Sequence, residues 1–264
     1  MIINMRTIIA IGGGEIGNLE TLPIDKKIVK LAKKKKPKVF YIPTAGGDSE
    51  LWCDTFQKVY GHKLKCQVDF LLLIKNKKEL TKKVISEKIL SADIVYVGGG
   101  DTLRMLQVWR KQGVDKILHQ AYKKGVVMAG VSAGAICWFH YGVSDAVINP
   151  ENKKLFGRVK GLNIISSKKS ITLSPHNIRE KKIREQSIKE IMSRTPGVCL
   201  AIDDNAALFI QDKFDQKTKK RTQKYEIWTS KKDVGIKKFF KLKNKIIEKE
   251  LKSKGDLREL YKKR

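Results

Sequence analysis

Gly125-Val126-Val127-Met128-Ala129-Gly130-Val131-Ser132-Ala133-Gly134 is the stretch that decides the fold. A short run of β-branched and small residues stops abruptly at a G-x-S-x-G pattern, and residues suited to a helix follow. That context predicts a sharp strand-to-helix turn that lifts the Ser132 hydroxyl above a sheet. Small residues at positions 130 and 134 keep such a turn free of collisions. The helix start behind it favours negative charge, and the Ala133 amide points toward a developing oxyanion.

Working outward, residues 6–11 form an apolar run ending in Gly12-Gly13-Gly14, and residues 38–42 another ending in Pro43-Thr44-Ala45-Gly46-Gly47. Both predict buried strands halted by glycine-rich turns. Between them Ile24, Ile28, Val29, Leu31 and Ala32 recur at helical spacing. The unit repeats: helix over 51–60, strand over 67–73, helix over 77–91, and strand over 93–97 closed by Gly98-Gly99-Gly100. Asp101-Thr102 then caps a helix carrying Leu103, Leu106, Val108 and Trp109. After a helix over 114–124 and the central strand come strands at 171–174 and 198–202 around a charged helix at 178–193. This alternation predicts an α/β fold, an open, mostly parallel sheet with helices on both faces. Residues 206–211 and 225–230 predict a hairpin around a polar turn, and residues 236–261 a helical appendage. The expected division is an α/β domain over 1–210 with a basic extension of the same domain over 211–264.

The 264 residues include 56 Lys and Arg against 27 Asp and Glu, a net charge of +29, with 41% hydrophobic residues. Such apolar content excludes a disordered or fibrous chain. No apolar run approaches the roughly 18 to 20 residues that span a bilayer. The N-terminus predicts a first strand rather than a secretion signal. Cys53, Cys66, Cys137 and Cys199 are scattered without C-x-x-C spacing, which fits a reducing cytoplasm and gives no zinc site. Lysines are spread along the whole chain, so the positive field predicts a solvated surface rather than a specific nucleic-acid site. The densest basic part, 213–264, includes Lys237-Lys238-Phe239-Phe240-Lys241. That segment is where a binding-module alternative resides.

A serine nucleophile needs a base, and the chain offers His62, His119, His140 and His176. His140 is expected two turns along the helix after the elbow, His119 in mid-helix, and His62 in a lysine-rich loop. His176 follows a strand, on the sheet edge where α/β proteins bind ligands. For the acid that orients the imidazole, Asp145 lies in Gly142-Val143-Ser144-Asp145 between nucleophile and base, while Asp101, Asp203 and Asp204 are rivals at other strand ends. Asp203-Asp204-Asn205 is read as a turn. Gly12-x-Gly14-x-x-Gly17 matches the letter of a dinucleotide fingerprint, yet the second strand ends without the acidic residue that holds a ribose. It is read as a structural glycine turn beside the site.

Tyr96-Val97-Gly98-Gly99-Gly100-Asp101-Thr102, Gly130-Val131-Ser132-Ala133-Gly134-Ala135, Ser144-Asp145 and Ser174-Pro175-His176, in that order and spacing, resemble the peptidase S51 family. That family contains aspartyl dipeptidase (peptidase E) and cyanophycinase, and the resemblance spans roughly residues 5 to 210. It implies a class I glutamine-amidotransferase-like (flavodoxin-like) fold with serine in place of that fold's cysteine. It implies a Ser132, His176, Asp145 triad and an oxyanion site of backbone amides at Gly99, Gly100 and Ala133. Arg184-Glu185-Gln186 resembles the run that supplies an arginine for an acidic substrate side chain, making Arg184 and Asp101 the expected substrate-binding residues. Asp101 stands where the family's dipeptidases often have Asn. The expected activity is acyl-enzyme hydrolysis of small peptides, Asp-X dipeptides among them, without metal or cofactor. A monomer or homodimer with a small peptide substrate, no specific nucleic acid and no membrane partner is expected. The alternatives are an α/β-hydrolase-like esterase, which shares the order Ser, Asp, His, and a non-catalytic basic nucleic-acid-binding protein on the same fold.

Overall fold

The computed structural model describes residues 3–76, 78–148, 155–165, 169–178 and 180–262. Lys77, where the helix over 77–91 was expected to start, lies outside them. Two mixed sheets, rather than one open sheet, organise the chain. In the first, β1 (Ile3–Ile11), β5 (Val127–Val131), β4 (Ile94–Val97), β2 (Lys38–Ile42) and β3 (Gln67–Phe70) lie side by side and parallel. β10 (Ala206–Asp215), β11 (Arg221–Thr229) and β14 (Lys254–Asp256) extend it antiparallel from β1. The second sheet runs β13 (Lys245–Glu250), β12 (Ile236–Leu242), β9 (Val198–Ile202), β8 (Ile171–Ser174), β6 (Tyr141–Ile148), β7 (Phe156–Lys160). Only β6–β8 and β8–β9 are parallel there.

Burial on both faces explains why the parallel strands read as continuous apolar runs. Successive side chains of β1 point to opposite faces. Ile8 and Ala10 join a core with Met105, Leu106 and Trp109 of α4 (Thr102–Gln112) and Ile117 and Leu118 of α5 (Val114–Lys124). Ile9 and Ile11 join another with Ile24 and Ile28 of α1 (Leu22–Leu31) and Phe56 of α2 (Glu50–Phe56). Residues 82–91 form α3 and Ala133–Ile136 the short α6. α7 (Lys181–Arg194) covers the second sheet through Ile188, Ile191 and Met192, packed against Val143, Cys199 and Phe239.

The expected hairpin forms as β10–β11, and its strands run on into the polar residues; at its end Arg221 makes a two-pronged ion pair with the buried Asp212. The helical appendage over 236–261 is overturned: the segment is β12, β13, β14 and a single 3-10 turn, Leu257–Leu260. The reason lies in Lys237-Lys238-Phe239-Phe240-Lys241, whose two rings face opposite sides. Phe240 enters the main core and Phe239 packs with α7. Adjacent residues buried on opposite faces suit a strand held between two layers. Lys238 is buried with them, and its ammonium donates to the carbonyls of Glu259 and Lys262. The pair that suggested a nucleic-acid surface is core.

Beside α1 the fully buried Asp25 accepts hydrogen bonds from Thr21 Oγ1 and Tyr60 Oη, both 2.8 Å. Burial outweighs those bonds and lifts its carboxyl from 3.8 to about 6. The folded chain therefore holds a proton there that the unfolded chain releases near 3.8. This contribution to stability is full below pH 3.8 and is lost as pH rises through about 6, a difference of about 3 kcal/mol. Asp25→Asn is expected to be the more stable protein at pH 8 and to lose its advantage near pH 4. Urea midpoints at the two pH values check this; a constant offset between the proteins would exclude Asp25 as the source.

Candidate active site

Five strands bring their carboxyl ends to one place. β5 delivers Ser132, β4 the Gly98-Gly99-Gly100 loop, β1 the Gly12-Gly13-Gly14 loop, β8 delivers His176 and β9 the Asp203-Asp204-Asn205 turn. Ser132 sits at φ 56°, ψ −114°, a backbone that side-chain-bearing residues rarely adopt. Its amide donates to the Ile11 carbonyl at 3.0 Å, tying the elbow to β1. A Cβ at Gly130 would strike the Gly134 carbonyl, and one at Gly134 the Val97 carbonyl, so the turn is too tight for larger residues at either point.

Ser132 Oγ lies 2.8 Å from His176 Nε2, and His176 Nδ1 lies 2.6 Å from Asp204 Oδ1. An ionised carboxylate only accepts, so Nδ1 carries the proton; Nε2 is then the free acceptor, and the Ser132 hydroxyl donates to it. Histidine and aspartate side chains are 19% and 15% exposed, reachable yet largely withdrawn from water.

Here the acid assignment changes. Asp145, expected to orient the histidine, is an exposed residue of β6 on the cavity wall, and the imidazole's Nδ1 is taken by Asp204. β8 lies between β9 and β6, so His176 leaves its strand with a carboxylate candidate on each side. Neighbouring contacts choose the β9 side. Asn177 Nδ2 donates to Asp203 Oδ1 at 2.9 Å, and Asp203 Oδ2 accepts from the Gly235 amide at 2.8 Å. With 177 clamped to 203, their neighbours 176 and 204 are set face to face. The His176 and Asn205 amides also donate to the Gly12 and Gly13 carbonyls, at 3.2 and 3.0 Å.

The glycine run of β1 is thereby explained. A side chain on Gly13 would collide with both the Asp204 carboxylate and the imidazole, so only glycine lets β1 pass beneath that hydrogen bond. Sequence reasoning placed a glycine turn beside the site but did not find Asn177, Asp203 or Gly13 as positioning residues. The available signal was that Asp204, like His176, stands two residues past the end of a buried strand.

The other histidines are elsewhere. α6 ends at Ile136, so His140 is not carried along a helix but stands before β6, its Nδ1 accepting from the Ile171 amide at 3.4 Å. His119 Nε2 meets the Leu162 carbonyl at 3.0 Å, and His62 lies in a π-helical turn, Gln57–Lys63.

Ser132 and His176 border two cavities. One, of about 450 Å³, is lined by Asp101, Asp145, Arg184 and Gly100. Arg184 is almost wholly buried; it pairs with Glu180 at 2.7 Å, lies 4.8 Å from the Phe156 ring centre and 3.5 Å from the Val143 carbonyl. Asp101 caps α4 by accepting from the Arg104 amide at 2.9 Å. Gly99 backs onto Ser132, a Cβ there falling 3.3 Å from Ser132 Cβ, and Ala133 opens α6. The second cavity, of about 440 Å³, lies toward Leu51 and Trp52. Among the described residues no group of His, Cys, Asp or Glu is arranged to hold a metal ion, and no helix is long and apolar enough to cross a membrane.

The profile of Peptidase family S51 matches residues 8–217. Over 220 residues the chain is 34% identical to the uncharacterized peptidase YgaJ of Bacillus subtilis (strain 168), covering 83% of this chain and 89% of that one. The fold is similar to the crystal structure of a peptidase from an acI-B1 Actinobacterium, with TM-score 0.67, 19% identity and coverage of 96% and 98% of the two chains. A putative peptidase E protein from Listeria monocytogenes EGD-e superposes with TM-score 0.56 at 17% identity, over 94% of this chain and 99% of that one.

Proposed function

The chain belongs to peptidase family S51 and is a peptidase; from that premise we propose that it hydrolyses short peptides through an acyl-enzyme formed on Ser132. The carrying observation is the unbroken chain of hydrogen bonds from Ser132 Oγ through His176 to Asp204. In this reading Ser132 Oγ attacks the scissile carbonyl while its proton passes to His176 Nε2. Backbone amides at Gly99, Gly100 and Ala133 receive the oxyanion, and His176 returns the proton to the leaving amine. Water then repeats the sequence, its proton going to His176 and its oxygen to the acyl carbon, and Ser132 leaves protonated. Asp204 holds the tautomer and balances the imidazolium.

The Arg184 cavity fits the residue that donates the acyl group. Its guanidinium suits an acidic side chain, and Asp101 and Asp145, which line the same cavity, suit a peptide's terminal ammonium. An N-terminal Asp-X substrate satisfies both signs. We infer a cytoplasmic enzyme, a reading that the four free cysteines support, working as a monomer or homodimer without specific nucleic-acid or membrane partners.

Three measurements test this. A fluorophosphonate is expected to label Ser132, located by peptide mass spectrometry, and Asp-X is expected to be cleaved ahead of Glu-X and neutral dipeptides. Arg184→Met is expected to lower kcat/KM for Asp-Leu by about 10- to 100-fold more than for Ala-Leu, because a charge-assisted bond contributes about 1.5 to 3 kcal/mol. Equal losses on the two substrates would remove Arg184 from recognition of the acidic side chain.

A further inference from the structure

The second cavity is built differently from the first. Its floor is an aromatic stack, Tyr41 on Phe56 with ring centres 4.2 Å apart and Tyr96 5.1 Å from Phe56. Its wall is Trp52 and Leu51, 41% and 72% exposed, on the first turn of α2. Large apolar side chains left open to water beside a reactive serine lose free energy unless something covers them.

Trp52 is also held in place. Its ring lies against Gly46, where a Cβ would overlap the indole, so the 3-10 turn after β2 (Thr44–Gly46) has room for the ring only because position 46 lacks a side chain. No Lys or Arg lines this cavity among the described residues. Glu15 is its one carboxylate. The two cavities share Ser132, His176 and Gly100 and diverge on either side of them. A peptide bond placed on Ser132 therefore sends one residue into each.

We propose that the second cavity is the leaving-group subsite, and that Trp52 and Leu51 select peptides whose residue after the scissile bond is aromatic or large aliphatic. The assignment rests on the peptidase reading above, in which the charged cavity takes the acyl residue. An apolar side chain fits because its burial covers Trp52 and Leu51 and removes no charge from water. An acidic one is disfavoured, since the described residues that line the cavity offer it Glu15 and no Lys or Arg.

The test uses the full chain and kcat/KM for Asp-Phe, Asp-Leu and Asp-Gly, or the matching Ala-X set if the enzyme prefers a neutral first residue. The parent is expected to favour Phe and Leu over Gly by about 10- to 100-fold, the discrimination that apolar pockets reach. Trp52→Ala is expected to bring the Phe-to-Gly ratio down by about tenfold, and Trp52→Phe to restore most of it. Leu51→Ser, at a more exposed position, guards against a Trp52 variant that fails to fold and is expected to lower the same ratio by about threefold. Cleavage with a flat ratio in the parent, or a ratio unchanged by both Trp52→Ala and Leu51→Ser, would overturn the subsite while leaving the peptidase reading intact. Absence of any Ser132-dependent cleavage would overturn both.

Discussion

Ser132→Ala is expected to lower kcat for dipeptide hydrolysis by about 10⁶-fold, the scale seen when a triad serine is removed. The substitution deletes one hydroxyl, and the φ 56° elbow keeps a residue no larger than before. The loss should therefore come with an unchanged melting temperature and with binding of an Asp-X substrate retained. His176→Ala should be comparably inactive, and its combination with Ser132→Ala should cost little more, because the two act as one unit. Stopped assays with enzyme in excess would detect turnover at these low levels. Activity within tenfold of the parent would place the chemistry on another residue.

Asp204→Asn is expected to lower kcat by about 10⁴-fold, because an amide at that position offers its NH₂ to Nδ1 and favours the wrong tautomer. Nε2 would then carry the proton and no longer accept from Ser132. The parallel variant Asp145→Asn is expected to act mainly on KM, since Asp145 lines the cavity while the imidazole's Nδ1 lies 2.6 Å from Asp204. Comparing kcat for the two variants on one substrate decides the acid. A silent Asp204→Asn beside a dead Asp145→Asn would reverse the assignment. Asn177→Ala, which breaks the clamp on Asp203, should weaken kcat in the same direction as Asp204→Asn and by less.

By itself the sequence determined what depends on near neighbours. The run Val127–Val131 followed by Ser132 and Gly134 is legible because strand, sharp turn and helix start are written in consecutive residues. Buried parallel strands announce themselves as short apolar runs ending in glycine, and His176 stands out because it follows such a run. Tertiary structure decided everything that depends on which distant segments meet. The sequence pattern favours Asp145 over Asp204 beside His176, whereas the order β9–β8–β6 together with the bond between Asn177 and Asp203 brings Asp204 to the imidazole. Local pattern also misreads Lys237–Leu242 as helical and basic. It is a strand because β9 supplies its hydrogen-bond partners and α7 and the main core receive Phe239 and Phe240 from opposite sides. Such pairing is set by packing between segments far apart in the chain, and that packing outweighs local propensity.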